Sequence, residues 1–258
     1  MRLFLKIIGG LLLLLLLIVG GLALSLRANP PETTFEVQAN TSGDGKSFLI
    51  FGATRNTGLL VAQILEARGD NVTAFVRPTS NREELEKLEV EYAIGDALEL
   101  DTVRAAMAAG EYDAVLSTIG CLSCDPSPDY LGNANIFRAA VEAGIERVVL
   151  VTTLGPGDSY DAVPGLSARF LKDIIPLKEK AEVALRSSGL NYTIVRPGGL
   201  RSGARTGNGV LSEDPATFGY IFREDLAELI VAIFDDDRAI GKTLAAVDAN
   251  RSFPWSNE

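Results

Sequence analysis

The run Gly52-Ala53-Thr54-Arg55-Asn56-Thr57-Gly58 stands directly behind an apolar segment, "FLIF", and ahead of a helical pattern. A strand, a glycine turn and a helix in that order present the free N–H groups of the first helical turn to a crevice. The positive end of the helix dipole then favours an anion there, above all a pyrophosphate. In this device Gly52 lets the backbone turn sharply and Gly58 lets the helix pack close to the sheet. The usual fingerprint, G-x-G-x-x-G, has a middle glycine; Arg55 and Asn56 occupy that part of the turn here. A glycine turn alone is weak evidence, because many such turns bind nothing. The next apolar run, "NVTAFVR", strengthens it. It ends in Arg77, where an acidic residue would bond the ribose hydroxyls of NAD and an arginine accommodates the extra phosphate of NADP. Arg55 in the turn is expected near the same phosphate. Two arginines aimed at one anion site, in a chain of formal charge −10, point to a ligand. Asp96, in "GDALE", suits both a hydrogen bond from adenine and an ordinary helix cap.

A second set of reactive side chains is Cys121-Leu122-Ser123-Cys124, which follows another apolar run. A pair at this spacing forms a redox couple, a local disulfide or two inert thiols. Two thiolates make a poor zinc site, and the chain contains no histidine to complete one. The absence of histidine also removes Ser-His-Asp and Cys-His nucleophile schemes. With 34 acidic against 24 basic side chains and no basic run, nucleic acid is excluded as the main partner.

The elements that must position these groups alternate along the chain. Strands are expected at 48–52, 71–77, 90–95, 114–120, 147–153, 191–197 and 242–248. Helices fit at 57–68, 81–88, 99–109, 130–143, 176–188 and 223–235. Such alternation implies an α/β fold with a doubly wound parallel sheet, Rossmann-like, of about seven strands. That domain is expected over 46–258. Ahead of it, residues 7–26 carry no charge and are long enough for a transmembrane helix, so 1–27 reads as an anchor or a signal sequence. Residues 28–45, rich in Pro, Thr, Asn, Ser and Gly, read as a flexible linker. The expected placement is therefore a single-pass membrane protein. Cofactor supply favours a domain facing the cytoplasm, whereas Arg2 and Lys6 ahead of the apolar run favour the opposite orientation.

The blocks "FGATRNTG", "AFVRP", "GDALE", "DYLGNANIFRAAVEAGIERVVLVTTLG", "KEKAEVALRSSGLNYTIVRPGGL" and "FREDLAELIVAIFDD" resemble the atypical short-chain dehydrogenase/reductases. The nearest group is the NmrA-like, NAD(P)-binding branch that includes biliverdin reductase B-like proteins, and the resemblance spans residues 47–248. It implies an NADP-preferring Rossmann fold, with NAD as the alternative cofactor. The implied cofactor contacts are Gly52, Thr54, Arg55, Asn56, Thr57 and Gly58 on the turn, with Arg77 at the 2′-phosphate. Asp96 and Ala97 would sit by adenine, and Thr118, Ile119 and Gly120 would follow the fourth strand. Pro197, Gly198 and Gly199 would lie near the nicotinamide. Many relatives have glycine where Arg55 stands, and Asn56 also replaces a glycine.

The wider family uses Ser, Tyr and Lys, with the tyrosine four residues before the lysine. Thr153 falls at the serine position and Lys178 or Lys180 at the lysine, so Lys178 and Thr153 are the catalytic candidates and Lys178 also a cofactor contact. Ile174 and Pro176 stand where the tyrosine would be. Tyr160 replaces it only if its loop folds inward. The cofactor itself carries the hydride chemistry, so the missing tyrosine weakens alcohol dehydrogenation more than reduction of a quinone, flavin or tetrapyrrole-like acceptor. Three readings follow: a membrane-anchored NADP-dependent oxidoreductase acting on a small or lipophilic substrate, a non-catalytic NADP(H)-binding redox sensor or assembly factor, and a structural adaptor with a dead pocket.

Overall fold

The computed structural model describes residues 8, 10–15, 28–38, 40 and 42–250. Apolar runs such as "SFLIF" and "RVVLV" have no polar alternation, which suits strands covered on both faces. They assemble into one eight-stranded sheet of order β3-β2-β1-β4-β5-β6-β10-β8. The strands are β1 (Ser47–Phe51), β2 (Asn71–Val76), β3 (Glu91–Ile94), β4 (Ala114–Ser117), β5 (Arg147–Val151), β6 (Asn191–Pro197), β7 (Gly199–Arg201), β8 (Gly209–Ser212), β9 (Tyr220–Phe222) and β10 (Lys242–Asp248). All neighbours in the large sheet are parallel except β8, which runs antiparallel to β10. Strands β7 and β9 form a separate parallel pair.

Helices α1 (Asn56–Ala67), α2 (Leu100–Ala108), α3 (Leu131–Ala143), α4 (Gly165–Phe170), α5 (Ile175–Arg186) and α6 (Arg223–Phe234) connect these strands. Alternation along β1 divides the core. Phe48 and Ile50 face α1 and α6 with Val61, Leu65, Leu226 and Ile230, while Leu49 and Phe51 face α2, α3 and α5 with Val103, Met107, Ile136 and Leu185. Burying each of these large side chains contributes about 1.5–3 kcal/mol. Strand order reverses between β1 and β4, so the crevice at their carboxyl ends is the topological switch point where ligands bind in open α/β sheets.

The seven expected parallel strands are present, and β7, β8 and β9 are additional. The helix expected at 81–88 is instead a single 3-10 turn, Leu85–Lys87. Its only fully buried apolar residue is Leu85, and one anchor cannot hold a long amphipathic helix to a core.

The expected membrane-spanning helix over 7–26, and with it the single-pass membrane localisation, is corrected. Among the described residues no helix is long and apolar enough to cross a membrane. The helical stretch at 10–15 rises only about 9 Å, against a hydrocarbon core of about 30 Å. Residues 7, 9 and 16–26 of that segment lie outside the described residues. Residues 28–38, expected as part of a linker, run against the body. Asn29 exchanges backbone hydrogen bonds with Phe218 (2.7 and 2.9 Å), and the Phe35 N–H donates to the Leu211 carbonyl (2.7 Å). The segment thereby covers β8, the edge strand whose backbone groups would otherwise lack partners.

Candidate functional site

The turn after β1 has the close contacts its glycines require. Gly52 has φ +94°, and a Cβ there would collide with the Thr118 hydroxyl. A Cβ on Gly58 would collide with the Gly52 carbonyl. Asn56 has φ +54°, the only positive φ at a residue other than glycine among the described residues. It thus adopts the left-handed conformation that the replaced glycine would take, and asparagine is among the few residues that tolerate it. At the N-cap of α1, Arg55 is extended (φ −163°, ψ 169°) and provides no side-chain cap, and the first turn contains no acidic residue. The free N–H groups of α1 and its positive dipole end therefore face no internal anion. This open cradle fits a pyrophosphate.

Thr118 locks the turn to β4. Its N–H donates to the Phe51 carbonyl (2.9 Å), and its hydroxyl lies 3.2 Å from that carbonyl and 3.3 Å from that of Gly52. Arg55 and Arg77 are both exposed beside this cradle, and neither has a carboxylate partner among the described residues. Asp96 caps its own loop by accepting from the Leu98 N–H (3.0 Å). Ala97 is buried, and Asn135 on α3 holds its loop by donating to the carbonyls of Ala97 (2.9 Å) and Leu98 (3.1 Å).

At the end of β4 the chain passes Ile119 and Gly120 and meets a buried ion pair. Lys178 Nζ on α5 lies 2.9 Å from Asp129 Oδ1, and the aspartate side chain is fully buried. A Cβ on Gly120 would fall 2.8 Å from that oxygen and 3.1 Å from the ammonium, so glycine leaves room for the pair. The other Asp129 oxygen accepts from the Cys121 N–H and the Ser127 hydroxyl, both at 2.8 Å. Cys121 and Cys124 are joined as a disulfide with Cα atoms 5.6 Å apart. The pair is thereby one of the forms expected for it, and its loop is tied to Lys178 through Asp129.

The catalytic candidates are placed as follows. Thr153 is half-buried beyond β5. Its neighbour Thr152 is buried and donates to Glu182 Oε1 (2.8 Å). Lys178 reaches the crevice but is engaged by Asp129. Tyr160 remains 56% exposed in the 3-10 segment Gly157–Ala162 and does not turn inward. Pro197 ends β6 beside Ala246 of β10, and Gly198 and Gly199 then pass close to Gly219 and β9, where a Cβ on Gly199 would collide with the Tyr220 ring.

Tyr220 was not apparent from the sequence, because β9 is only three residues long. It packs with Leu154, Val163 and Phe218, a cluster built from the loop after β5 and the strands beyond β6. Burial raises its hydroxyl pKa above the ordinary value, and nearby Arg201 offsets part of that rise. A cavity of about 520 Å³ lies at the other end of the sheet, lined by Glu66, Asp70, Glu89, Glu91 and Glu111. Its acidic lining is unsuited to phosphates, and it touches none of the residues above.

A doubly wound sheet with a glycine-bearing anion cradle at its switch point defines a Rossmann-type dinucleotide-binding module. The sequence profile of the NAD(P)H-binding family matches residues 52–237, and the chain belongs to that family. Among relatives, the chain is 31% identical over 197 residues to a Bacillus subtilis protein named as an uncharacterized sugar epimerase, YhfK, covering 74% of this chain and 88% of that one. It is similar to the solved structure of ChuY, an anaerobillin reductase from Escherichia coli O157:H7, with a TM-score of 0.73 and 29% identity over 80% of this chain and 98% of the other. A short-chain dehydrogenase/reductase from Veillonella parvula, solved in complex with NADP, has a TM-score of 0.66 at 19% identity, over 83% and 99% of the two chains; this likeness concerns the fold alone.

Proposed function

We propose that this chain is an NADP-dependent oxidoreductase that reduces a conjugated, largely apolar acceptor of the tetrapyrrole, quinone or flavin type. The observation that carries the reading is the pair Arg55, within the turn, and Arg77, directly after the neighbouring strand β2, both exposed and with no carboxylate partner among the described residues. In an acidic chain such a pair is complementary to a 2′-phosphate. The first amides of α1 would hold the pyrophosphate, Asp96 and Ala97 would flank adenine, and Gly198 and Gly199 would admit the nicotinamide end. Bound there, the cofactor would supply a hydride. The protein's own residues would orient the acceptor and keep the crevice closed to water. Similarity to an anaerobillin reductase supports the tetrapyrrole member of this acceptor class.

A second reading, an NADP(H)-binding redox sensor without turnover, draws on a different observation. No tyrosine precedes Lys178 by one helical turn, and the ammonium is already paired with Asp129. Titration of residues 28–258 with NADPH and NADH tests cofactor choice. NADPH should bind more tightly, and Arg77→Glu should abolish the preference. Failure to bind either nucleotide refutes both readings; an unchanged preference in Arg77→Glu refutes the phosphate assignment. Steady NADPH oxidation with an added tetrapyrrole, quinone or flavin separates the enzyme from the sensor.

A further inference from the structure

Several cations at the amino ends of strands have carboxylate partners: Arg68 with Asp70 and Asp235, Arg238 with Asp236, and Lys242 with Glu213. At the carboxyl ends, the inward-pointing Lys178 and Arg196 are also neutralised, by Asp129 and Glu182. Arg55 and Arg77 remain on the cofactor half of that rim, and the reading above assigns them a phosphate. Arg201 and Arg223 remain on the other half, with no carboxylate partner among the described residues. In a chain with ten more acidic than basic side chains, two guanidinium groups left unpaired at one end of one strand pair call for an anion.

Their setting places that anion next to the reacting end of the site. Gly199, Tyr220 and Arg201 lie together on β7 and β9, with Gly199 opposite Tyr220 and Arg201 opposite Phe222 in the register. The Arg201 guanidinium lies 5.2 Å from the centre of the Tyr220 ring, and the same ring packs on Gly199. One aromatic ring thus joins the glycine at the expected nicotinamide end to the arginine. A guanidinium in this arrangement keeps its N–H edge for a planar, bidentate acceptor. Arg223, the next residue after β9, donates Nη1 to the Ser202 hydroxyl (3.0 Å), and its buried Nε has no acceptor among the described residues.

We propose that Arg201, held on Tyr220 beside Gly199 and flanked by Arg223, forms a subsite for a carboxylate of the acceptor substrate. The proposal rests on the oxidoreductase reading and narrows its acceptor to one with an apolar conjugated body and an acidic side chain. A neutral quinone would leave both guanidinium groups unused. Orientation is the functional consequence: anchoring the carboxylate on β7 fixes which part of the conjugated body faces the crevice.

The test is titration of the NADP-loaded chain with biliverdin, which carries two propionates, and with its dimethyl ester. The acid should bind about tenfold more tightly than the ester, the size expected for one charge-assisted contact. Arg201→Gln should bring the two affinities within about twofold, and Arg201→Lys should restore part of the difference, since a point charge replaces a fork. Unfolding temperatures of the variants show whether they fold. Equal binding of acid and ester overturns the subsite and leaves the reductase reading standing. So does an acid preference that survives both Arg201→Gln and Arg223→Gln. Binding of neither compound overturns the subsite together with the tetrapyrrole acceptor. An acid preference lost in Arg201→Gln, without NADPH oxidation by either compound, supports the subsite as a carboxylate-binding site and overturns tetrapyrrole reduction.

Discussion

Replacing Asn56 isolates one backbone conformation in the cofactor turn. The residue has φ +54°, is exposed, and its side chain makes no hydrogen bond with the described residues. Removing that side chain therefore removes no hydrogen bond to the described residues, and the energy of the left-handed backbone is the main change. For an L-residue that conformation costs about 1–2 kcal/mol, and asparagine escapes part of the cost. Asn56→Ala should therefore destabilise by about 1 kcal/mol, equivalent to about 2–4 °C in unfolding temperature for a domain of this size. Asn56→Val, with its stiff β-branch, should lose about 2 kcal/mol. Asn56→Gly relieves the strain but adds freedom to the unfolded chain, about 0.4–1 kcal/mol in the opposite direction, so the net should be near zero. Urea unfolding of the cofactor-free protein reads all three, and an NADPH titration then reports whether the turn keeps its shape. Asn56→Gly should bind NADPH like the parent, and Asn56→Val should bind more weakly. The reasoning fails if Asn56→Ala is as stable as the parent, or if Asn56→Gly loses as much as Asn56→Ala. The first result would mean that the left-handed backbone carries no cost at this position, and the second that the asparagine stabilises through its side chain.

Two further outcomes follow from the buried polar groups. Asp129→Asn leaves the Lys178 ammonium without its anion in a nearly closed site and should cost about 3 kcal/mol, measured as a lower urea midpoint at unchanged slope; a loss below about 1 kcal/mol would show that water already screens the pair. Because burial raises the pKa of both Tyr92 and Tyr220, ultraviolet titration should show two tyrosines ionising late, one of them absent from Tyr220→Phe, and the stability Tyr220 confers should be complete below its ordinary value near 10 and lost as pH rises through the folded-state value; identical titration curves for the two proteins would refute it.

The seven parallel strands were legible because each is a compact apolar run bounded by a helix or turn, the local pattern that sequence displays best. Strands β7 and β9 are three residues each, too short for any period to declare itself, and they pair across an intervening stretch that includes β8. The anion cradle was legible for the same reason as the strands, since Gly52, Asn56 and Gly58 fall within one turn. What remained hidden was pairing at a distance. Nothing near Asp129 in sequence indicates Lys178, and nothing near Arg201 indicates the Tyr220 ring. The missing family tyrosine was visible as Ile174 and Pro176, but what Lys178 does in its absence was not.

That lysine belongs to a larger arrangement on α5. Lys178 and Glu182, one helical turn apart, both point inward. Lys178 holds Asp129 and, through it, the loop that begins at Cys121. Glu182 accepts from Thr152 beyond β5 (2.8 Å) and from two nitrogens of Arg196 in β6 (3.0 and 2.7 Å). Burial acts to lower the Arg196 guanidinium pKa, but the hydrogen bonds and charge of Glu182, helped by Asp158, raise it above the ordinary value. One helix face therefore fixes the chain where it leaves β4, β5 and β6, the three strands bordering the expected nicotinamide end. Such a pair of buried ionic contacts adds little net stability over apolar packing, but breaking one partner is costly, so it enforces a single geometry. The helix face on which the family resemblance would put a proton relay here carries two side chains that hold the chain ends beyond β4, β5 and β6 together.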